Sequence, residues 1–211
     1  MTSIQACVLA SGGLDSTTLV YDLLAKGMKI RVIFINYGQH FYDTELSALK
    51  KVLPVEIFED IKIIDISSAY TESRSPLIKR YDLWQTNVVD EMLYVPFRSL
   101  TMISAAMAYS QSIGVSQLYA AFIDSNHVKD IDATSFFLDS LIKTTDVYES
   151  VKLNLPLRNM TKLDVVKLGI SVNAPIEKTY SCQINLEIPC GACPNCVDRA
   201  TAISSWQAEN V

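Results

Sequence analysis

The chain has 211 residues, 49% of them hydrophobic and 19% charged, with a formal net charge of −5. This length suffices for one α/β domain with a substantial core and is too short for two, so residues 1–211 are expected to fold as a single domain. The acidic balance argues against nucleic acid, which needs clustered Lys and Arg, and favours a small-molecule substrate or a protein partner.

The first residues, Met1-Thr2-Ser3-Ile4-Gln5, lack a basic leader, and no apolar run approaches the ~20 residues that cross a bilayer. A cytoplasmic protein without membrane contact is therefore expected. Residues 4–10 read as a buried strand, 16–26 as the helix after it, and 29–35 as a second strand. Residues 42–53 place Leu46, Leu49 and Leu53 on one helical face. A third strand is expected over 61–66, then an unpatterned excursion over 67–95. Residues 97–113 read as a helix, 117–122 as a fourth strand and 133–143 as another helix. Thr161 and Asp164 stand at the N-cap and N3 of a short helix over 161–168, as in a capping box. Such alternation predicts a doubly wound, Rossmann-like α/β fold with a parallel sheet. Ligands then bind beyond the carboxyl ends of the strands. The loop at 11–16, the turn Asn36-Tyr37-Gly38-Gln39 and the segment after Phe122 all fall at such ends.

Ser11-Gly12-Gly13-Leu14-Asp15-Ser16 lies between a strand and a helix, where a phosphate loop belongs. Gly12 and Gly13 let the backbone approach phosphate oxygens, and the free N–H groups with the helix N-terminus form an anion site. Ser11 and Ser16 add hydroxyl donors, and Asp15 suits a magnesium ion among the phosphates. No Lys-Ser/Thr pair closes the loop, so it is not a Walker motif.

Four of the five cysteines cluster: Cys182, Cys190, Cys193 and Cys196 follow C-x7-C-x2-C-x2-C. Four thiolates complete a tetrahedral shell, which favours structural zinc within a segment spanning 180–200. Gly191 and Pro194 suit the turns required. An iron–sulfur cluster is the competing reading. Cys7 stands alone in the first strand.

The sequence SGGLDST after a strand resembles the N-type ATP pyrophosphatases (the PP-loop, adenine nucleotide α-hydrolase superfamily), which split ATP between its α and β phosphates and adenylate a carboxylate or carbonyl oxygen. Together with the cysteine cluster, it resembles the 7-cyano-7-deazaguanine synthase (QueC) family nearly end to end. Tyr37-Gly38-Gln39 matches YGQ, Val95-Pro96-Phe97-Arg98 resembles VPGRN, and Thr161-Lys162 falls where the family has a lysine near the phosphates. Tyr180-Ser181-Cys182 and Cys196-Val197-Asp198-Arg199 match the segment around the zinc.

The resemblance implies that 7-carboxy-7-deazaguanine is adenylated with ATP and magnesium, that ammonia gives the amide, and that a second ATP gives the nitrile. It implies that Ser11, Gly12, Gly13, Leu14, Asp15 and Ser16 hold ATP. Lys162 would neutralise the leaving pyrophosphate, and Arg98 would bind a phosphate or the substrate carboxylate. Tyr37 and Gln39 would line the substrate pocket, and Asp124 and Asp130 would accept from the N1–H and 2-amino group of the deazaguanine. A homodimer is the family's expected assembly.

The chain also departs from the pattern. Where the family has D-Y-S-G-Y-P-D-C-R, residues 124–132 keep Asp124 and Asp130 but put Asp132 in place of the arginine. Phe97 replaces the glycine of VPGRN and Ser99 its asparagine, and His40-Phe41 replaces Arg-His. A divergent paralogue fits this pattern. One alternative is a ligase that stops at the amide or transfers the deazaguanine acyl group to another amine, such as a protein amine, since relatives also occur in anti-phage loci. Others are a tRNA-thiolating enzyme or a binding module on an inactive pyrophosphatase.

Overall fold

The computed structural model describes residues 3–80, 93–123, 132, 134–148, 150–183 and 188–210. Five parallel strands form one sheet: β1 (Ala6–Leu9), β2 (Ile30–Asn36), β3 (Lys62–Asp65), β4 (Gln117–Tyr119) and β5 (Lys152–Asn154), in the order β3-β2-β1-β4-β5. The helices between them are α1 (Leu14–Ala25), α2 (Tyr42–Val52), α3 (Val55–Phe58), α4 (Arg98–Ser112), α5 (Ser135–Asp146), α6 (Lys162–Ser171) and α7 (Pro194–Glu209).

Both faces of the sheet are covered, and the central strands show why. Ala6 and Val8 of β1, with Ile30, Val32 and Phe34 of β2, pack on the side of α1, α6 and α7. Cys7 and Leu9, with Ile33 and Ile35, face the opposite way toward α4 and α5. Side chains alternate along a strand, so a strand buried on both faces must be apolar at every position. The all-apolar run Ala6–Leu9 satisfies this, with every residue buried. Gly169 lets α6 close on α1: a Cβ there would lie 2.4 Å from Ile176 Cδ1 and 2.7 Å from Thr18 Oγ1.

The structure alters the expected elements in several places. The first strand is shorter than residues 4–10, and β4 ends at Tyr119 rather than at 122. The excursion over 67–95 opens with a 3-10 turn, Ser67–Tyr70. β5 and α7 add a strand and a helix where none was expected. The expected helix start at residue 97 is corrected to Arg98, because Phe97 adopts φ 60 and stands outside the helix as its N-cap.

Candidate functional site

In this strand order the chain reverses direction across the sheet between β1 and β4, and the carboxyl ends of those strands open a crevice. A cavity of about 280 Å³ lies there. Ser11, Gly13, Leu14, Asp15 and Ser16 line it from the loop after β1, and Tyr37 and Gln39 from the turn after β2. Arg98, Ala120–Phe122 and Lys162 complete the wall. Positions far apart in sequence thus meet at one cavity, and of the loop residues 11–16 Gly12 alone is absent from its lining. Asp124 and Asp130 lie outside the described residues.

The loop at 11–16 is held tightly. Gly12 has φ +82, and a Cβ on it would come 2.6 Å from the Leu49 backbone nitrogen of α2. Gly13, in contrast to Gly12, has φ −73, open to any residue. A Cβ there would meet nothing closer than Ser11 Oγ at 3.5 Å, so neither strain nor crowding within the fold requires glycine. Ser16 Oγ donates to the Gly13 carbonyl at 3.2 Å and accepts the Ser11 N–H at 3.3 Å, so this hydroxyl braces the loop from within.

Lys162 is delivered by its helix start. Thr161 Oγ1 accepts the Asp164 N–H at 3.1 Å and Asp164 Oδ2 accepts the Thr161 N–H at 2.9 Å, a complete capping box. The next side chain, Lys162, projects to the glycine loop and donates to both carboxylate oxygens of Asp15. A cation and a carboxylate thus stand together at the glycine loop, on the wall of the cavity.

The wall around Tyr37, Gln39 and Arg98 holds a polar cluster. The Arg98 guanidinium carbon sits 5.5 Å from the centre of the Tyr37 ring. Burial pushes the Tyr37 hydroxyl far above its usual value, with the Arg98 charge opposing. Gln39 is buried and internally committed. Its Oε1 accepts the Tyr37 N–H at 2.9 Å, and its Nε2 donates to the Ile35 carbonyl at 3.1 Å and to Glu45 Oε2 at 3.0 Å. Gln39 therefore supports its neighbours, and the group it presents to the cavity is the carboxyl of Glu45. Sequence reasoning missed Glu45, which reads as a polar first-turn residue of an amphipathic helix.

Cys182, Cys190, Cys193 and Cys196 come together with their Sγ atoms all within 4.8 Å of one another. Zinc with Zn–S near 2.3 Å places tetrahedral sulfurs about 3.8 Å apart, so the cluster needs only a small contraction to hold an ion. Backbone N–H groups of Cys190 and Cys193 point at the sulfurs of Cys182 and Cys190, at 3.4 and 3.3 Å. Such donors stabilise thiolates and fit a metal knuckle. Gly191, at φ 71, makes the turn. Pro194 has a different role from the turn expected of it: it occupies the first position of α7, where its missing N–H costs nothing.

This segment belongs to the cavity wall as much as to the cysteine cluster. The Tyr180 N–H donates to the Gly12 carbonyl at 3.0 Å, and Ser181, Asn195 and Arg199 line the cavity. Arg199 holds the segment by donating from Nε to Thr179 Oγ1 and from Nη2 to the carbonyls of Ile176 and Glu177.

Sheet order, glycine loop and opposed lysine define a PP-loop nucleotide-binding domain. Residues 5–207 match the family model described as queuosine biosynthesis protein QueC, and the chain belongs to that family of enzymes. Among its relatives, the 7-cyano-7-deazaguanine synthase of Archaeoglobus fulgidus is 29% identical over 94% of this chain and 85% of its own length. That of Thermoplasma volcanium is 32% identical over 91% of this chain and 83% of its own. Solved structures share the fold. A 4-thiouridine synthetase in complex with RNA and ATP has a TM-score of 0.55 at 13% identity, over 97% of this chain and 53% of its own. A predicted tRNA methyltransferase subunit from Methanocaldococcus jannaschii has a TM-score of 0.50 at 17% identity, over 80% and 75%. Among the described residues no helix is long and apolar enough to cross a membrane.

Proposed function

We propose that this chain is an ATP-dependent C–N ligase that adenylates the carboxylate of 7-carboxy-7-deazaguanine. Ammonia then gives the amide, and a second ATP converts the amide to the nitrile. The observation that carries this reading is Lys162 held against Asp15 at the glycine loop, in the same cavity as Arg98. Attack of the substrate carboxylate on the α phosphate expels pyrophosphate. The backbone N–H groups of the loop and Lys162 stabilise the charge that grows on the leaving group. Asp15 would hold the magnesium that accompanies ATP, exchanging its contact with Lys162 for the ion. Arg98 orients the substrate carboxylate through paired N–H donors. Supplied at the four cysteines, zinc would act as a structural clamp on the segment that carries Ser181, Asn195 and Arg199. A homodimer is the proposed assembly, to be checked by light scattering.

A second reading is a ligase that stops at the amide or transfers the acyl group to another amine such as a protein amine, and the altered residues at the substrate wall motivate it. Ser99 Oγ donates to Asp132 Oδ2 at 2.7 Å. Both positions differ from the residues expected from the family resemblance, and here their side chains meet.

Incubation with ATP, magnesium and 7-carboxy-7-deazaguanine, with and without ammonium, tests both by mass spectrometry. Nitrile with two AMP per product supports the first reading. One AMP with an amide or a protein adduct supports the second. Absence of pyrophosphate release overturns both.

A further inference from the structure

Glu45 is in the first turn of α2, and its side chain lines the nucleotide cavity. Its Oε2 is pinned by Gln39 Nε2, and Gln39 is itself pinned by the backbone at Tyr37 and Ile35. The chain therefore devotes a buried amide to aiming one carboxyl into a cavity. That carboxyl has no task in binding the phosphates, which attract cations and N–H donors.

The adenylation reading, on which this inference rests, leaves one chemical need unmet. At neutral pH ammonia and aliphatic amines are protonated and have no lone pair with which to attack an acyl adenylate. A base must first remove a proton, and a carboxylate is also the group that attracts an ammonium ion.

We propose that Glu45 is the residue that binds the protonated amine and takes its proton. The proton moves to the Glu45 carboxylate and frees the nitrogen lone pair. The C–N bond forms as the bond from the acyl carbon to the AMP oxygen breaks, and AMP leaves with that electron pair. The new C–N nitrogen gives its surplus proton to water, and Glu45 releases its own to solvent afterwards. Acyl adenylate and ammonium thus become amide, AMP and two protons.

The surroundings suit this role. Among the described residues, the charged and titratable groups facing Glu45 are Arg98 from α4, Tyr37 from the turn after β2 and Tyr180 from the segment before Cys182. Burial pushes the Glu45 carboxyl up to about 7, with the Gln39 hydrogen bond and the Arg98 charge pulling the other way. A base is most effective when its affinity for protons matches the working pH.

The test compares two nucleophiles in wild type and Glu45→Gln. Hydroxylamine is largely unprotonated at neutral pH and needs no base, so hydroxamate formation reports adenylation alone. Ammonium needs the base. In E45Q, hydroxamate formation should stay within about threefold of wild type, while amide formation from ammonium falls about 100-fold or more. In wild type, the ammonium reaction alone should weaken as pH drops below about 7. Equal loss of both products in E45Q, or amide formation at the wild-type rate, overturns the assignment. Wild type that forms neither hydroxamate nor pyrophosphate overturns the adenylation reading itself, and with it this inference.

Discussion

Lys162 Nζ lies 2.7 Å from Asp15 Oδ2 and 2.9 Å from Asp15 Oδ1, joining the starts of α6 and α1 across 147 positions of sequence. The pair is partly exposed, at 31% and 26% for the two side chains. Its Coulomb energy is therefore screened and worth about 1 kcal/mol or less to the fold. In the proposed adenylation its value lies in placing a cation beside the leaving pyrophosphate. Lys162→Met should lower pyrophosphate release about 100-fold or more while Tm shifts little. A large fall in Tm with unchanged turnover per folded molecule would assign the pair a purely structural role.

The two loop glycines should fail differently. Gly12→Ala puts a Cβ against the Leu49 backbone at φ +82, combining left-handed strain with overpacking, and should cost about 2–4 kcal/mol. Gly13→Ala meets nothing closer than 3.5 Å and should leave the melting temperature nearly unchanged. Its methyl crowds the phosphate side, so ATP affinity should drop. Thermal melts with ATP titration separate the two effects.

Phe97 holds a left-handed backbone at φ 60 while its side chain is 70% exposed. It bears the conformational cost with little burial in return. Phe97→Gly should raise stability by a few tenths to about 1 kcal/mol, or about 1–4 °C in Tm for a chain of this size. Calorimetry would show a decrease instead if the ring packs against a partner surface in solution.

Glu45 also makes stability depend on pH. Its folded carboxyl is raised from 4.5 to about 7, so the folded state binds the proton more tightly than the unfolded one. The neutral carboxyl is favoured in the fold, and stability falls as pH climbs from about 4.5 to about 7, then levels off. Glu45→Gln removes this slope. It should melt higher than wild type at pH 8, with the gap closing toward pH 5.

The cysteine cluster should bind one zinc ion per chain without acid-labile sulfide, as elemental analysis would show. Stoichiometric iron and sulfide would favour the cluster chemistry instead. Cys193→Ser should lower Tm and weaken ATP binding together, because the same segment carries Ser181 and Arg199 into the nucleotide cavity.

Much of this was legible in the sequence, for physical reasons. β1 and β2 must be apolar on both faces, so their runs stand out. The phosphate loop needs small residues in a fixed strand–helix setting, and the metal knuckle needs thiols at short spacing. The rest hid behind weak local signals. β5 is three residues long and only Leu153 of it is buried, too little to show alternation. α7 begins inside the cysteine cluster, where Pro194 reads equally well as a turn. Gln39 and Glu45 form one unit across a loop and a helix start, a pairing that no periodicity reveals. The exchange of glycine for Phe97 is visible in sequence, but its conformational cost emerges only from the backbone.

The bond from the Tyr180 N–H to the Gly12 carbonyl has a consequence for synthesis on the ribosome. The glycine loop emerges early, yet the strand of chain that braces it and the arginine that locks that strand emerge far later. A chain that stops before Tyr180 lacks the N–H that the Gly12 carbonyl accepts and the Ser181, Asn195 and Arg199 wall of the cavity, so the loop would stand there without that brace.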